Sequence, residues 1–270
     1  MDDDRRSFAH LPSWKHLLSL TLLGVFLLTI PSSPATADRY TNQWTRDLDE
    51  IHQLIKVEKY GEAEKNSRKL LEEINEKAIQ GSALYPLIGK TMAYRAIAFM
   101  GRGEAKLAMW DFSVAQAFYP EILPEHLDTF GPAGQKLHLR LSQSAASTGT
   151  VYRFLEEKVD GCEEFQLPAP TNKVKPSVPR GLWRTLRQEQ DEAYTKVGAE
   201  IDAAGQLRRF HLVSESKYPT INLEASEELR ATTFQPGTCD GEPVAFMYDM
   251  WMTFAIERGP RKLEEAQSAP

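Results

Sequence analysis

Two residue types could carry special chemistry here, cysteine and histidine, and their spacing limits what that chemistry is. The chain holds two cysteines, Cys162 and Cys239. Neither has a histidine beside it, and a zinc site asks for about four Cys or His ligands at short spacing. His52, His126 and His138 are scattered and lack the i, i+4 pairing of a helical metal site. The phosphate-cradling Gly-rich loop and the strained Gly-x-Ser-x-Gly nucleophile turn are both missing. The many Asp and Glu side chains fall at solvated helix positions, with no carboxylate pair set off in a strand-end loop. No catalytic residue, metal ligand or cofactor site is expected, which leaves the cysteines as a candidate disulfide.

That disulfide depends on compartment. Arg5, Arg6 and Lys15 precede a nearly unbroken apolar run, residues 17–30 (LLSLTLLGVFLLTI), and then Ala35-Thr36-Ala37. This is the three-part pattern of an export signal, with small residues at the cut. The run is about 14 residues long, against roughly 20 for a spanning helix. Residues 1–37 are therefore expected to be a signal peptide cut near Ala37, with an uncleaved inner-membrane anchor as the alternative. Export to a periplasm or cell envelope permits a Cys162–Cys239 bond. Both cysteines stand in turn or linker segments, without the apolar flanks of buried free thiols.

The net charge of -6 argues against nucleic acid, which calls for a basic face. A hydrophobic fraction of 41% is ordinary for a globular chain. Membrane contact is expected only if residues 1–37 are retained.

The elements that would position any site divide the chain. Residues 38–160 read as helical. Leu48, Ile51, Leu54 and Ile55, then Leu70, Leu71 and Ile74, recur at i, i+3, i+4. Tyr60-Gly61 breaks the first pair of helices and Gly101-Arg102-Gly103 breaks a second. The two pairs share a Gly-Glu-Ala and an amphipathic second helix. In the second, Ala108, Phe112, Ala115 and Pro120 follow an A-x3-F-x2-A-x4-P spacing, with Ala96 and Phe99 on the helix before. This resembles the tetratricopeptide repeat over roughly 80 residues; a small helical bundle without repeats is the alternative. Residues 132–144 are expected to cap the stack as a further helix.

Residues 161–180 carry Pro168, Pro170, Pro176 and Pro179 and read as an extended linker. Alternation follows: Ala193, Thr195, Val197, Ala199 and Ile201 share one face of a strand. Asp202-Ala203-Ala204-Gly205 is a hairpin turn with Gly205 suited to positive φ. Residues 206–214 return as a second strand. Asn222 is a candidate N-cap for a helix over residues 223–232. Residues 244–256 form a long last strand, and residues 259–270 a disordered tail.

The segment 181–258 resembles the C-terminal domain of TonB-type proteins. The resemblance rests on Ile201-Asp202-x-x-Gly205, the helix with Leu229, Phe234-x-Pro236, the Asp240-Gly241-x-Pro243-Val244 turn and an apolar last strand ending near Phe254. It departs from that family in having Arg180-Gly181-Leu182-Trp183 where a Tyr-Pro pair would stand, and no long Pro-rich spacer. The resemblance implies an α+β protein: helical hairpin repeats, then a small antiparallel sheet with one packed helix in the order β-β-α-β. It also implies a non-catalytic partner-binding module that engages protein segments by strand pairing, including components of outer-membrane transport. An anchored energy transducer of that family, coupling proton motive force to outer-membrane receptors, is the alternative.

The last strand carries the candidate binding residues. Phe246, Tyr248, Met250, Met252 and Phe254 share one face; Met247, Asp249 and Trp251 share the other. A sheet covered on one side does not call for large apolar groups on both. Either the helical half or the linker covers the second face, or Phe246, Tyr248, Met250, Trp251, Met252 and Phe254 belong to an edge strand that accepts a partner strand.

Overall fold

The computed structural model describes residues 34–77, 82–147, 150–155, 158–159, 161–172, 176–189 and 192–255. The chain divides into two units, Met1–Pro34 and Ala35–Pro270, and the architecture below belongs to the second. The apolar run at residues 17–30, the remainder of the expected signal up to residue 33 and the expected tail lie outside the described residues. Among the described residues no helix is long and apolar enough to cross a membrane.

Five helices come first: α1 (Pro34–Lys56), α2 (Tyr60–Asn75), α3 (Tyr85–Gly101), α4 (Ala105–Phe118) and α5 (Gly131–Ser147). The breaks fall at residues 57–59 and 102–104, so α1–α2 and α3–α4 are hairpins; Tyr60 and Gly61, expected to break the first pair, instead open α2, and Gly101 closes α3. The first helix begins at Pro34, ahead of the expected cut after Ala37. Trp44, Ile51 and Ile55 are buried along α1, and Leu70, Leu71 and Ile74 along α2. The spacing at i, i+3, i+4 explains this, because such residues form one stripe on a helix of 3.6 residues per turn. The pair α3 and α4 is buried on more than one side, and Ala96, Ala108, Phe112 and Ala115 are all 0% exposed. Small side chains there let the two helix backbones approach closely.

The chain then turns to strands: β1 (Val151–Leu155), β2 (Lys158–Val159), β3 (Phe165–Gln166) and β4 (Ala169–Pro170), followed by a helix, α6 (Arg180–Glu189). The module beyond holds β5 (Ala193–Ile201), β6 (Leu207–Ser214), α7 (Pro219–Arg230), β7 (Phe234–Gln235), β8 (Gly237–Cys239) and β9 (Glu242–Phe254). The molecule is thus mixed α+β, and its long strands follow the expected order strand, strand, helix, strand. The main sheet runs β2-β1-β9-β5-β6, with β8 and β3 attached beside β9. Pairing is antiparallel except for β1, which lies parallel to β9 through Val151–Ala245, Tyr152–Phe246 and Arg153–Met247.

The hairpin between β5 and β6 closes as its residues require. Gly205 has φ +76°, and a Cβ there would come within 2.3 Å of the Phe234 carbonyl oxygen. The Asp202 carboxylate accepts the backbone N–H of Ala204 at 2.9 Å and of Gln206 at 2.8 Å.

Three details depart from the sequence expectations. The region expected to be helical up to residue 160 ends in β1 and β2, whose Val-Tyr-Arg-Phe run favours pleated structure. The linker is extended but not free: β3 pairs with β8 and β4 with β7. Asn222 is not an N-cap. Helix α7 starts three residues earlier, at Pro219, whose fixed φ suits a first turn. Asn222 is instead buried, accepting the Ser216 backbone N–H at 3.0 Å and donating to the Tyr85 hydroxyl at 2.6 Å.

Helix α7 packs on β5, and α4 packs on β6. Trp110 of α4 meets Phe210 of β6 edge-on at 5.9 Å between ring centres. The Ser113 hydroxyl accepts the Phe210 backbone N–H at 3.0 Å. The inner sheet face and the helices therefore share one core, lined by Val197, Ile201, Met252 and Phe254 among others.

Candidate functional site

Strand β9 is interior at its start and open at its end. At its start β8 pairs with Glu242–Val244, and on one side β1 pairs with residues 245–247. On the other, β5 pairs with residues 246–254. Along residues 248–254, no described strand pairs with the side of β9 away from β5. That stretch is an edge in backbone terms, with N–H and C=O groups a partner strand could meet.

The six candidate residues on β9 separate by face. Phe246 and Phe254 are 0% exposed and Met252 2%. Tyr248 and Met250 are partly buried against the same core, and the Tyr248 ring lies 6.1 Å from that of Phe234. Tyr248, Met250, Met252 and Phe254 belong to the core shared with the helices, while Phe246 is buried beside Tyr152 of β1, 5.9 Å between ring centres. Trp251 is 64% exposed on the opposite face. It is joined there by Tyr194 of β5, 49% exposed, and Val213 of β6, 47% exposed. Sequence reasoning found Trp251 but not its two companions. The alternation that placed Ala193 and Thr195 inward also places Tyr194 outward, so the signal was present.

Beside these lies a hollow of about 360 Å³, lined by Arg153, Leu167, Lys196, His211, Met247 and Asp249 among others. Gly198 of β5 leaves room for one of its lining groups: a Cβ there would come within 2.6 Å of Asp249 Oδ1. The Asp249 carboxylate thus lies over the neighbouring strand, with Lys196 Nζ 3.5 Å from its other oxygen. His211 Nε2 is buried with no hydrogen-bond partner among the described residues. Burial holds the His211 pKa below its usual value, helped by Arg209 and Arg153 and opposed by Asp249. Leu167 comes from the linker, so the linker covers one end of the outer face and leaves the Trp251 end open.

The cysteines sit where this linker is fastened. Cys162 and Cys239 form a disulfide with Cα atoms 5.5 Å apart, within the usual range of roughly 4.4–6.8 Å. The Asp240 carboxylate accepts the backbone N–H of Glu163 at 3.0 Å and of Glu164 at 2.8 Å. The Asp240 N–H donates to the Glu164 carbonyl at 2.7 Å. Bond and hydrogen bonds together pin the linker to the turn that begins β9. The Asp240 carboxylate also lies close to both sulfurs, the one such group of possible metal donors among the described residues. With the sulfurs bonded to each other no thiolate is available to bind a cation.

Protein-family models, curated protein sequences and solved structures were each compared with this chain, and none matches it.

Proposed function

We propose that this chain is a non-catalytic, exported protein of a bacterial envelope that binds another protein on the open half of β9. One observation carries the reading. Backbone residues 248–254 form an unpaired edge among the described residues, and the exposed Trp251 stands on that strand, with Tyr194 on the neighbouring β5 and Val213 on β6 beyond it. An extended partner segment added there would gain main-chain hydrogen bonds, and the aromatic pair would supply side-chain contact. The resemblance to TonB-type C-terminal domains supports the same mode, and the helical hairpins, similar to tetratricopeptide repeats, would brace the sheet from behind. The oxidising compartment implied by the signal pattern agrees with the disulfide.

Two measurements test this. N-terminal sequencing of the protein recovered from the envelope should begin at Asp38. Retention of residues 1–37 in the inner membrane would favour an anchored transducer instead. A photo-crosslinking side chain in place of Trp251 should trap one discrete protein in intact cells. The same group at Val57, equally exposed at 62% but on the helical side, should trap none. Equal labelling from both positions, or none from either, would remove the proposed face.

A further inference from the structure

A second concavity lies away from β9, where the two halves of the molecule meet. Its volume is about 350 Å³, and its lining includes Lys106 and Met109 of α4, Arg140 of α5, and Gln206, Leu207 and Arg208 at the β5–β6 hairpin. That is within the size range of small-ligand sites, which start at roughly 300 Å³ and favour junctions between packed units. Met109, Leu207 and Ala105 give it an apolar floor, and the rest of the lining is polar.

Charge sets the ligand class. The lining holds three cations and no carboxylate, in a chain with 38 acidic and 32 basic residues. Arg208 is held from outside the hollow by Asp202, Nε to Oδ2 at 2.6 Å. Among the described residues Lys106 is held only by a neutral group, Nζ donating to Gln206 Oε1 at 2.6 Å. Arg140 pairs with no carboxylate among the described residues. Two uncompensated positive charges therefore face one small hollow, and the first turn of α4 adds its backbone N–H groups. Glu125 and Glu200 line an adjoining hollow on the far side of Met109 and Arg208, so the positive end of the groove is confined to the Lys106–Arg140 region.

We infer that this hollow is a binding site for a small polyanion, a molecule with two or more carboxylate or phosphate groups. Arg140 grips one group with its planar fork. Lys106 turns from Gln206 to a second, and the Gln206 amide is freed to hydrogen-bond the ligand. The site is independent of the proposed partner edge, since β6 and the helices carry it and β9 does not.

Calorimetric titration of the full chain at low ionic strength, with inorganic pyrophosphate, citrate and poly-glutamate as probes, tests this. One of the two small anions should bind at one per chain, and which one binds tighter distinguishes phosphate from carboxylate chemistry. Arg140→Gln should weaken it about tenfold and Lys106→Gln again, with added salt acting in the same direction. Both side chains are exposed, so the variants should fold as the parent does, which circular dichroism checks. Arg46→Gln, an exposed cation on α1, should change nothing. No binding by either small anion would overturn the inference. So would binding that survives the double variant, or binding of poly-glutamate alone.

Discussion

Arg95 of α3 donates to Glu227 of α7 across 2.6 Å while its Nε holds Asp111 of α4 at 2.5 Å. Arg230 closes the group, with Nη1 3.5 Å from Asp111 Oδ1 and Nη2 paired to Glu227. Arg95 and Asp111 are both buried. Burial alone would lower the Arg95 pKa, but Asp111 and Glu227 overcome it and hold the guanidinium charged. The cluster links both helices of a hairpin to the helix of the sheet module, so the halves should unfold together.

Arg95→Met should therefore cost about 3–5 kcal/mol, because it leaves the buried Asp111 carboxylate with only the longer contact to Arg230. Arg95→Met combined with Asp111→Leu should cost less than Arg95→Met alone, since no charge is then stranded. Denaturant unfolding followed by tryptophan fluorescence and by far-ultraviolet dichroism should give coincident transitions in the parent. A double variant less stable than the single one would mean the pair is net favourable and the desolvation account is incorrect.

Ala108→Leu tests the helix crossing. Ala108 is 0% exposed, beside the similarly buried Ala115 and Phe112. Added methyl and methylene groups have no void to enter and should cost roughly 1–3 kcal/mol through overpacking. An unchanged thermal midpoint would show that the crossing has slack.

The long-range features of this fold were less legible in the sequence than the local ones. The Gly205 turn and the inward face of β5 follow from local periodicity and turn chemistry and were expected; the helix breaks were expected in the right neighbourhoods, but the first lies at residues 57–59, ahead of Tyr60-Gly61, and the second at residues 102–104. Helix α6 was missed. Its Leu182 and Leu186, both buried, stand at i, i+4, but one stripe of two residues after a Pro-rich run is a weak signal. Strand β1 was missed because five residues, Val151–Leu155, give alternation too little length to register. Its parallel seat beside β9 is a pairing of distant segments that no local pattern encodes. For the same reason the last strand could be identified from sequence, while its division into an interior half and an open half could not. The polyanion hollow was invisible too, since Lys106, Arg140 and Arg208 come from three elements.

The disulfide gives a third test. Cys162 and Cys239 are separated by 77 positions. On the chain-entropy account, closing a loop of that length stabilises by about 4 kcal/mol, with engineered cases often giving less. Cys162→Ser with Cys239→Ser should lower stability by up to that amount and loosen the linker strands β3 and β4. Thiol titration of unfolded, non-reduced parent protein should find no free thiol. Two free thiols would mean that the bond does not form in the cell.

His211 gives a pH-dependent test with a definite sign. It faces the outer sheet surface among Arg209 on its own strand, Lys196 on β5, Asp249 on β9 and Arg153 on β1. Burial is the largest cause lowering its pKa from the usual 6.5, the two arginines add to it, and Asp249 works the other way. The folded protein therefore takes up this proton at lower pH than the unfolded chain does. The stability tied to neutral His211 is complete above the unfolded value and is lost as pH falls from there towards the folded one. Between about pH 7.5 and 5.5 the parent should lose more thermal stability than His211→Gln, which cannot titrate. His52 also has a lowered pKa, from burial and Lys56 against Asp49, so the difference between parent and variant isolates His211. Asp249→Asn removes the one opposing charge and should lower the His211 pKa further in an imidazole NMR titration. A His211 that titrates at or above its ordinary value, or one that Asp249→Asn leaves unmoved, would mean that the carboxylate over Gly198 does not act on this ring.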